Sequence, residues 1–244
     1  EDTRSLRRLM DIHGVPLGDR RVMAYHDHSG AGAQARLIAA LEQGQSVAYA
    51  SEAGMPLIAD PGYELSKAAA EAGYSVTAAP GPSAVLTALT LAGLPTDAFF
   101  FGGFLPNATA ARRTRLEQLR DVPGTLVFYE SPKRVAASLA DMVEVLGAER
   151  PAAMCRELTK KFEEVRRAPL GDLAASLAGT TPKGEIVLVV DRARSETVSD
   201  SDIELALTEA MKTHSVKDAA ELVSKMFAVP KRQAYQMALK LGKG

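Results

Sequence analysis

The sequence predicts an α/β fold: two α/β domains flanking a ligand cleft, followed by a small C-terminal helical module. Three observations carry this. Apolar runs of strand length alternate with helical patterns in two blocks, interrupted at Gly93-Leu94-Pro95-Thr96. Two stiff turns of small residues follow successive predicted strands: VAYASEAGMPLIADPG over 47–62 and AAPGPSAVLTAL over 78–89. From Ser199 onward the strand patterns stop and three short helical patterns follow. The expected division is therefore 1–95, 96–195 and 199–244.

Taken in order, Leu6, Leu9 and Met10 set a helix over 5–13, with Gly14 as its C-cap. A short strand is expected over 21–25 and a helix over 33–43, ending at Gly44. Val47 to Ala50 reads as a buried strand that enters the first small-residue turn. Gly54 and Gly62 permit close approach of a ligand to the backbone, and Pro56 and Pro61 stiffen the turn. A helix over 63–72 and a strand over 75–79 follow. Pro80-Gly81-Pro82 breaks that strand, and Ser83 is placed to cap a helix over 82–92. Turns of this kind at the carboxyl ends of strands are where open α/β sheets bind ligands.

The pattern restarts with an aromatic strand over 98–101 leading into GGFLP. A helix over 110–119, a strand over 125–129, a helix over 133–146 and a strand over 152–156 come next. A further strand over 163–167, a helix over 172–178 and the apolar run GEIVLVV over 184–190 complete the block, the last apolar enough to be buried on both faces. The tail shows helices over 199–213, 216–227 and 230–241, with Pro230 at a first helical turn.

Composition narrows the class. At 244 residues and 46% hydrophobic content the chain can fill one large core or two ordinary ones. A formal net charge of −1 gives no global pull toward nucleic acid, so an RNA site must be a local basic patch. The single cysteine, Cys155, excludes an intrachain disulfide and suits a reducing, cytoplasmic setting; in AAMCREL it reads as a small apolar filler. No apolar run approaches the roughly 20 residues needed to span a bilayer, so no membrane partner is expected. His26 and His28 would share one face of a strand, but no third ligand lies nearby and no metal is expected. The GAG at Gly30 to Gly32 lacks the Lys-Ser/Thr of a phosphate loop.

Six motifs then run in order through the first 190 residues: EDTR at 1–4, SEAGMPLIADPGY with APGPSAVLTALTLAGLP, GFLP at 103–106, FYESPKR at 128–134, RELTK at 156–160 and GEIVLVV at 184–190. Together they resemble the S-adenosylmethionine-dependent methylases of the tetrapyrrole methylase superfamily. Within it they are most similar to the branch that methylates a cytidine ribose 2′-hydroxyl of small-subunit ribosomal RNA. In that family a first strand and a glycine-bearing loop of the cofactor cleft precede the point at which this chain starts. The resemblance also implies a homodimer, and a substrate presented as free RNA or as the assembled small subunit.

By that resemblance S-adenosylmethionine is the cofactor, held by Ser51, Glu52, Ala53, Gly54 and Met55, by Ser83 and Ala84, and by Tyr129, Gly184 and Glu185. Glu52 stands where the family usually has Asp, and Met55 where it has Thr; a loop that binds through its backbone tolerates both. A ribose hydroxyl is a weak acid, so some group must take its proton or lower its pKa. Asp2, Glu130, Glu157 and Lys160 lie in matched motifs, and the choice among them is open. Arg4, Arg134 and Arg156 are candidates for RNA phosphates, as are Arg112 and Arg113 on the helix over 110–119.

From Met211 on there are seven Lys or Arg against Asp218 and Glu221, and Lys231 and Arg232 are placed for phosphate contact. Two other readings share the fold. A tetrapyrrole C-methyltransferase would act on a small polycarboxylate and needs no basic tail. A non-catalytic RNA-binding protein would keep the fold without cofactor turnover.

Overall fold

The computed structural model describes residues 2–26, 29, 31–193, 200–227 and 229–242. Glu1, Asp27, His28, Gly30, Ser199 and Lys243, on which parts of the sequence reading rest, lie outside the described residues. The chain forms two compact units, Glu1–Ala193 and Arg194–Gly244.

The first unit begins with four helices: α1 (Thr3–Ile12), α2 (Ala31–Glu42), α3 (Tyr63–Glu71) and α4 (Ala84–Ala92). Asp2 starts α1 by accepting the backbone N–H groups of Arg4 at 2.6 Å and Ser5 at 3.2 Å, as an N-cap carboxylate does. The alternating block follows as β1 (Phe99–Phe104), α5 (Thr109–Leu119), β2 (Thr125–Glu130), α6 (Val135–Leu146), β3 (Pro151–Arg156), β4 (Glu164–Pro169), α7 (Leu170–Ser176) and β5 (Ile186–Val190).

The five strands form one sheet in the order β1-β2-β5-β3-β4. β1 and β2 are parallel; β5 inserts antiparallel between β2 and β3, and β4 lies antiparallel on β3. The strand period of two sorts the side chains without exception along the central strands. Leu126, Phe128, Met154, Ile186, Leu188 and Val190 face the layer of α5, α6 and α7, where Leu116, Leu139, Met142 and Leu170 are buried. Val127, Cys155, Val187 and Val189 face the opposite layer, where α4 packs through Val85, Ala88, Leu89 and Ala92. Each such fully buried aliphatic side chain contributes about 1.5–3 kcal/mol. Burial pushes the Cys155 thiol up to about 11, so it is an inert filler at neutral pH.

The sequence reading differs from the structure before residue 95. The segments 21–25, 47–50 and 75–79, expected as strands, carry no ladder pairing among the described residues. An apolar run becomes a strand only when a neighbour completes its backbone hydrogen bonds. Here Met23, Val47 and Val76 are exposed, and only a small cluster of Tyr25, Ala33 and Leu65 is buried between α2, α3 and these segments.

The second unit holds α8 (Asp200–Ala210), α9 (Val216–Phe227) and α10 (Lys231–Leu241) around Ile203, Leu207, Ala220, Val223, Ala234 and Ala238. Ser215 caps α9: its hydroxyl accepts the Asp218 N–H at 3.2 Å and donates to the Asp218 carboxylate at 2.7 Å.

Candidate functional site

Two turns meet at the mouth of the first unit. The backbone N–H of Met55 donates to the carbonyl of Pro82 at 3.0 Å, which ties the SEAGMP turn to the PGPS turn. Gly54 makes this possible: its φ is +72°, and a β-carbon there would stand 3.3 Å from the same carbonyl. The Ser51 hydroxyl braces the first turn by donating to the Gly54 carbonyl at 2.8 Å. Ser83 stands at the N-cap of α4 without a side-chain cap bond, and its carbonyl accepts Thr87 N–H and hydroxyl at 3.0 and 2.9 Å.

Below these turns lies a cavity of about 660 Å³, within the range of small-molecule sites. Its walls come from the segments 52–60 and 82–87 on one side and from Phe104, 129–132, 158–160 and 184–187 on the other. Every residue expected to hold the cofactor lines it except Ser51, whose hydroxyl is spent on the turn. The sequence reading did not single out Asp60, Phe104, Ser131, Leu158 and Thr159, which also line it. All five belong to stretches already distinguished by their motifs, so the signal was present and the range was drawn too narrowly.

Tyr129 forms part of an aromatic wall, with ring centroids 4.9 Å from Phe101 and 5.6 Å from Phe104 in edge-on geometry. Burial raises its phenol pKa, and the negative charge of Asp60 adds to the rise; a hydrogen bond from the Val85 N–H, in the first turn of α4, opposes both. Non-glycine residues with positive φ gather at the rim, namely Leu57, Ala59, Glu157 and Thr159. Such backbone costs on the order of 1–3 kcal/mol each and persists where packing holds it.

The four candidate acid–base residues part company. Asp2 is the cap of α1 and pairs with Arg4, whose hydrogen bonds hold its carboxyl down to about 2; it does not line the cavity. The Glu130 carboxylate is fully buried, accepting the Ser131 N–H at 2.8 Å and the Ser138 hydroxyl at 2.5 Å, with Arg134 Nε at 3.4 Å. Glu157 and Lys160 sit together at the rim. Lys160 Nζ donates to Glu157 Oε1 at 3.0 Å and to Glu185 Oε2 at 2.9 Å, and Glu157 Oε1 also accepts the Glu185 N–H at 2.9 Å. The Glu185 and Glu157 carboxylates raise the Lys160 pKa; the Glu185 N–H and then Lys160 lower that of Glu157. Glu157 and Lys160 are thus both charged at neutral pH. Gly184, at φ +91°, is part of this corner, because a β-carbon there would fall 2.4 Å from the Glu157 side chain.

The candidate RNA arginines are also separated. Arg112 is buried, not displayed: it binds Asp141 at 2.6 Å and donates to the carbonyls of Pro106 and Asn107 at 3.3 and 3.0 Å. The expectation that it faces RNA is corrected by its place at i and Leu116 and Leu119 at i+4 and i+7, one apolar helix face. Arg113, half-exposed, takes the other Asp141 oxygen at 2.7 Å. Arg134 donates to the Leu105 carbonyl, so two arginines hold the three successive carbonyls that follow Phe104. Arg156 pairs with Glu164 at 2.9 Å and with the Lys183 carbonyl at 3.0 Å, whereas the Arg4 side chain is almost fully exposed. In the second unit Lys231 pairs with Glu221 at 2.5 Å, and Arg232 is exposed.

Among the described residues no group of three or more His, Cys, Asp or Glu is placed to hold a metal ion, and no helix is long and apolar enough to cross a membrane.

Comparison with known proteins gives this architecture its class. Residues 7–174 match the profile of the Tetrapyrrole (Corrin/Porphyrin) Methylases, and residues 197–242 match the RsmI C-terminal HTH domain. Among solved structures, diphthine synthase shares the fold at a TM-score of 0.55 and 14% identity, over 76% of this chain and 73% of that one. Cobalt precorrin-4 methyltransferase does so at 0.54 and 14%, over 74% and 78%. Closer in sequence, ribosomal RNA small subunit methyltransferase I of Mesorhizobium japonicum is 49% identical over 242 residues, 99% of this chain and 81% of that protein. The protein of that name from Mycobacterium tuberculosis is 44% identical over 240 residues, 98% and 84%. The chain therefore belongs to the tetrapyrrole methylases and, within them, to the ribosomal RNA small subunit methyltransferase I family.

Proposed function

We propose that the chain transfers a methyl group from S-adenosylmethionine to the ribose 2′-hydroxyl of a cytidine in small-subunit ribosomal RNA. The observation that carries this reading is the convergence of the SEAGM, PGPSA, FYES, RELTK and GEIV segments on one cavity. The residues present fit the cofactor. The cavity is large enough, Gly54 keeps the turn open to close approach, and Glu52, Asp60 and Glu185 bring negative charge to a site for a sulfonium cation. The segments before and after residue 95 supply opposite walls of the cavity within the one compact unit Glu1–Ala193, and the division into 1–95, 96–195 and 199–244 is kept as a proposal from the sequence pattern.

When bound, the cofactor supplies an electrophilic methyl carbon for in-line displacement. Glu52 to Met55, Ser83 and Ala84 hold it from the two stitched turns, and Tyr129, Gly184 and Glu185 from the opposite wall. Phe104 and Tyr129 exclude water from one side. Lys160 acts on the acceptor. An ammonium has three N–H donors; two are taken by Glu157 and Glu185, and the third is available to the ribose oxygen as negative charge develops there. Held protonated, Lys160 does not act as a base: the hydroxyl proton passes to solvent water as the O–CH3 bond forms and the sulfonium C–S bond breaks, and Lys160 stabilises the negative charge that develops on the oxygen. The partner is the RNA, free or in the assembled subunit, in the cytoplasm, and two copies of the chain act together as the sequence resemblance implies.

The test is transfer of labelled methyl from S-adenosylmethionine to small subunits from cells lacking this enzyme, to free small-subunit RNA and to a porphyrinogen. Label at one alkali-resistant linkage of the RNA is expected. Label in the porphyrinogen alone would replace this reading with tetrapyrrole methylation. No label in any acceptor would replace it with RNA binding without turnover.

A further inference from the structure

The polar faces of the second unit are segregated by charge. α8 carries Asp202, Glu204 and Glu209 and no Lys or Arg, whereas α10 carries Lys231, Arg232 and Lys240 and no acid. On α9, Glu221 accepts both Lys225 at 3.0 Å and Lys231 at 2.5 Å, so those two cations are neutralised in place. Arg232 and Lys240 have no ion-pair partner among the described residues.

Ala234 and Ala238 seat α10 in the core. At 3.6 residues per turn the face opposite them is a row of Arg232, Gln236 and Lys240, each about a turn apart. Gln233 flanks the row on one side, and Tyr235 and Leu239, 41% and 40% exposed, on the other. α10 follows α9 after the short link 228–230, the spacing of a helix-turn-helix, whose second helix is the one that enters a nucleic acid.

Resting on the RNA-substrate reading above, we infer that this face of α10 is an RNA-binding surface, with Arg232 and Lys240 on phosphates and Tyr235 and Gln236 on unpaired bases. The side-chain chemistry favours RNA over a protein partner. The two unpaired cations suit a phosphodiester backbone, amides reach base edges, and an exposed phenol ring offers a stacking surface for a splayed base. A polyanion would be drawn to α10 and repelled by α8. It follows that Lys231, the more obvious basic residue by sequence, contributes less than Arg232 because Glu221 already holds it.

The experiment measures binding of the full chain to in vitro transcribed small-subunit RNA as a function of salt, and in parallel methyl transfer to that RNA and to assembled small subunits. The Arg232→Ala/Lys240→Ala double variant is expected to weaken RNA binding by roughly tenfold or more and to lower the salt slope by about 2, one for each phosphate contact removed. Its affinity for S-adenosylmethionine and its kcat at saturating RNA should match the parent, and Tyr235→Ala should weaken binding without changing the slope. Lys231→Ala should bind nearly as the parent does. A double variant with the parent's affinity and slope overturns the surface while leaving the methylation reading intact. RNA binding that shows the expected slope change, without methyl transfer by the parent to either acceptor, overturns the methylation reading and keeps the surface.

Discussion

The Met55 nitrogen and the Pro82 carbonyl oxygen, 3.0 Å apart, join two turns at positions 27 residues apart in the chain. This one backbone bond fixes the roof of the cavity, and it fits the chemistry of the loop. Position 55 holds Met where the family usually has Thr, yet the stitching uses the backbone, which every residue type except proline can provide.

A side chain at position 54 should disturb that roof first. Gly54→Val forces a β-branched residue into positive φ and brings its β-carbon against Pro82, costing on the order of 1–3 kcal/mol at the loop. The expected result is a rise in the S-adenosylmethionine Kd of at least about tenfold by calorimetry, with RNA binding little changed. Equal cofactor affinity in the variant and the parent would mean that the turn does not touch the cofactor.

The Arg112–Asp141 pair should matter for stability and not for RNA affinity. Arg112→Ala removes the buried one of the two arginines that hold the Asp141 carboxylate and leaves the Pro106 and Asn107 carbonyls without their partner, a loss of about 3–5 kcal/mol. For a unit of this size that is a fall in Tm of roughly 10 °C. Arg113→Ala, on the exposed side of the same carboxylate, should cost less than about 1 kcal/mol. Thermal unfolding of both variants checks this. An Arg112→Ala protein that melts with the parent but binds RNA more weakly would return Arg112 to the surface role that its sequence suggests.

Much of the first unit was legible because its signals are local. The strand-length segment 125–129 and the continuous apolar run GEIVLVV mark two strands, and the small-residue turns mark the cavity roof. What failed was long-range. Val47 and Val76 have the side chains of strand residues, but strand formation depends on a neighbour that a run of four or five residues cannot specify. Arg112 was misread for a different reason. Charge suggested exposure, while its spacing from Leu116 and Leu119 placed it on the buried face. Glu130 was legible as a motif residue but not as a carboxylate already committed to Ser131, Ser138 and Arg134, since Ser138 joins it only through the packing of α6.

Lys160 should be needed for turnover more than for binding. Lys160→Met removes the donor and leaves Glu157 and Glu185 facing each other. A fall in kcat of about 10²-fold is expected, with the RNA Kd and cofactor Kd within about threefold of the parent. Lys160→Arg should recover part of the loss, because it keeps the charge. Because Glu185 and Glu157 raise the Lys160 pKa, the parent's kcat should not increase as pH rises from neutral toward the ordinary lysine range on account of this group. A rising limb there that disappears in Lys160→Met would make Lys160 the base instead.

Glu221 gives the second unit a defined acid limit. Its carboxyl is held down to about 2, first by the hydrogen bond from Lys231 and then by that from Lys225, against an ordinary value of 4.5. A carboxyl whose folded pKa is depressed stabilises the fold above its unfolded pKa, and that contribution disappears as pH falls toward the folded value. The window is therefore between about 4.5 and about 2. Amide hydrogen exchange in α9 and α10 of the full chain should lose protection through this window more steeply in the parent than in Glu221→Gln. High salt should narrow the difference, because all three groups are solvent-accessible. Glu221→Gln should also release Lys231, so that RNA binding becomes tighter and its salt slope steeper by about 1. Unchanged exchange profiles together with an unchanged slope would show that the Lys231–Glu221–Lys225 clamp is not formed in solution.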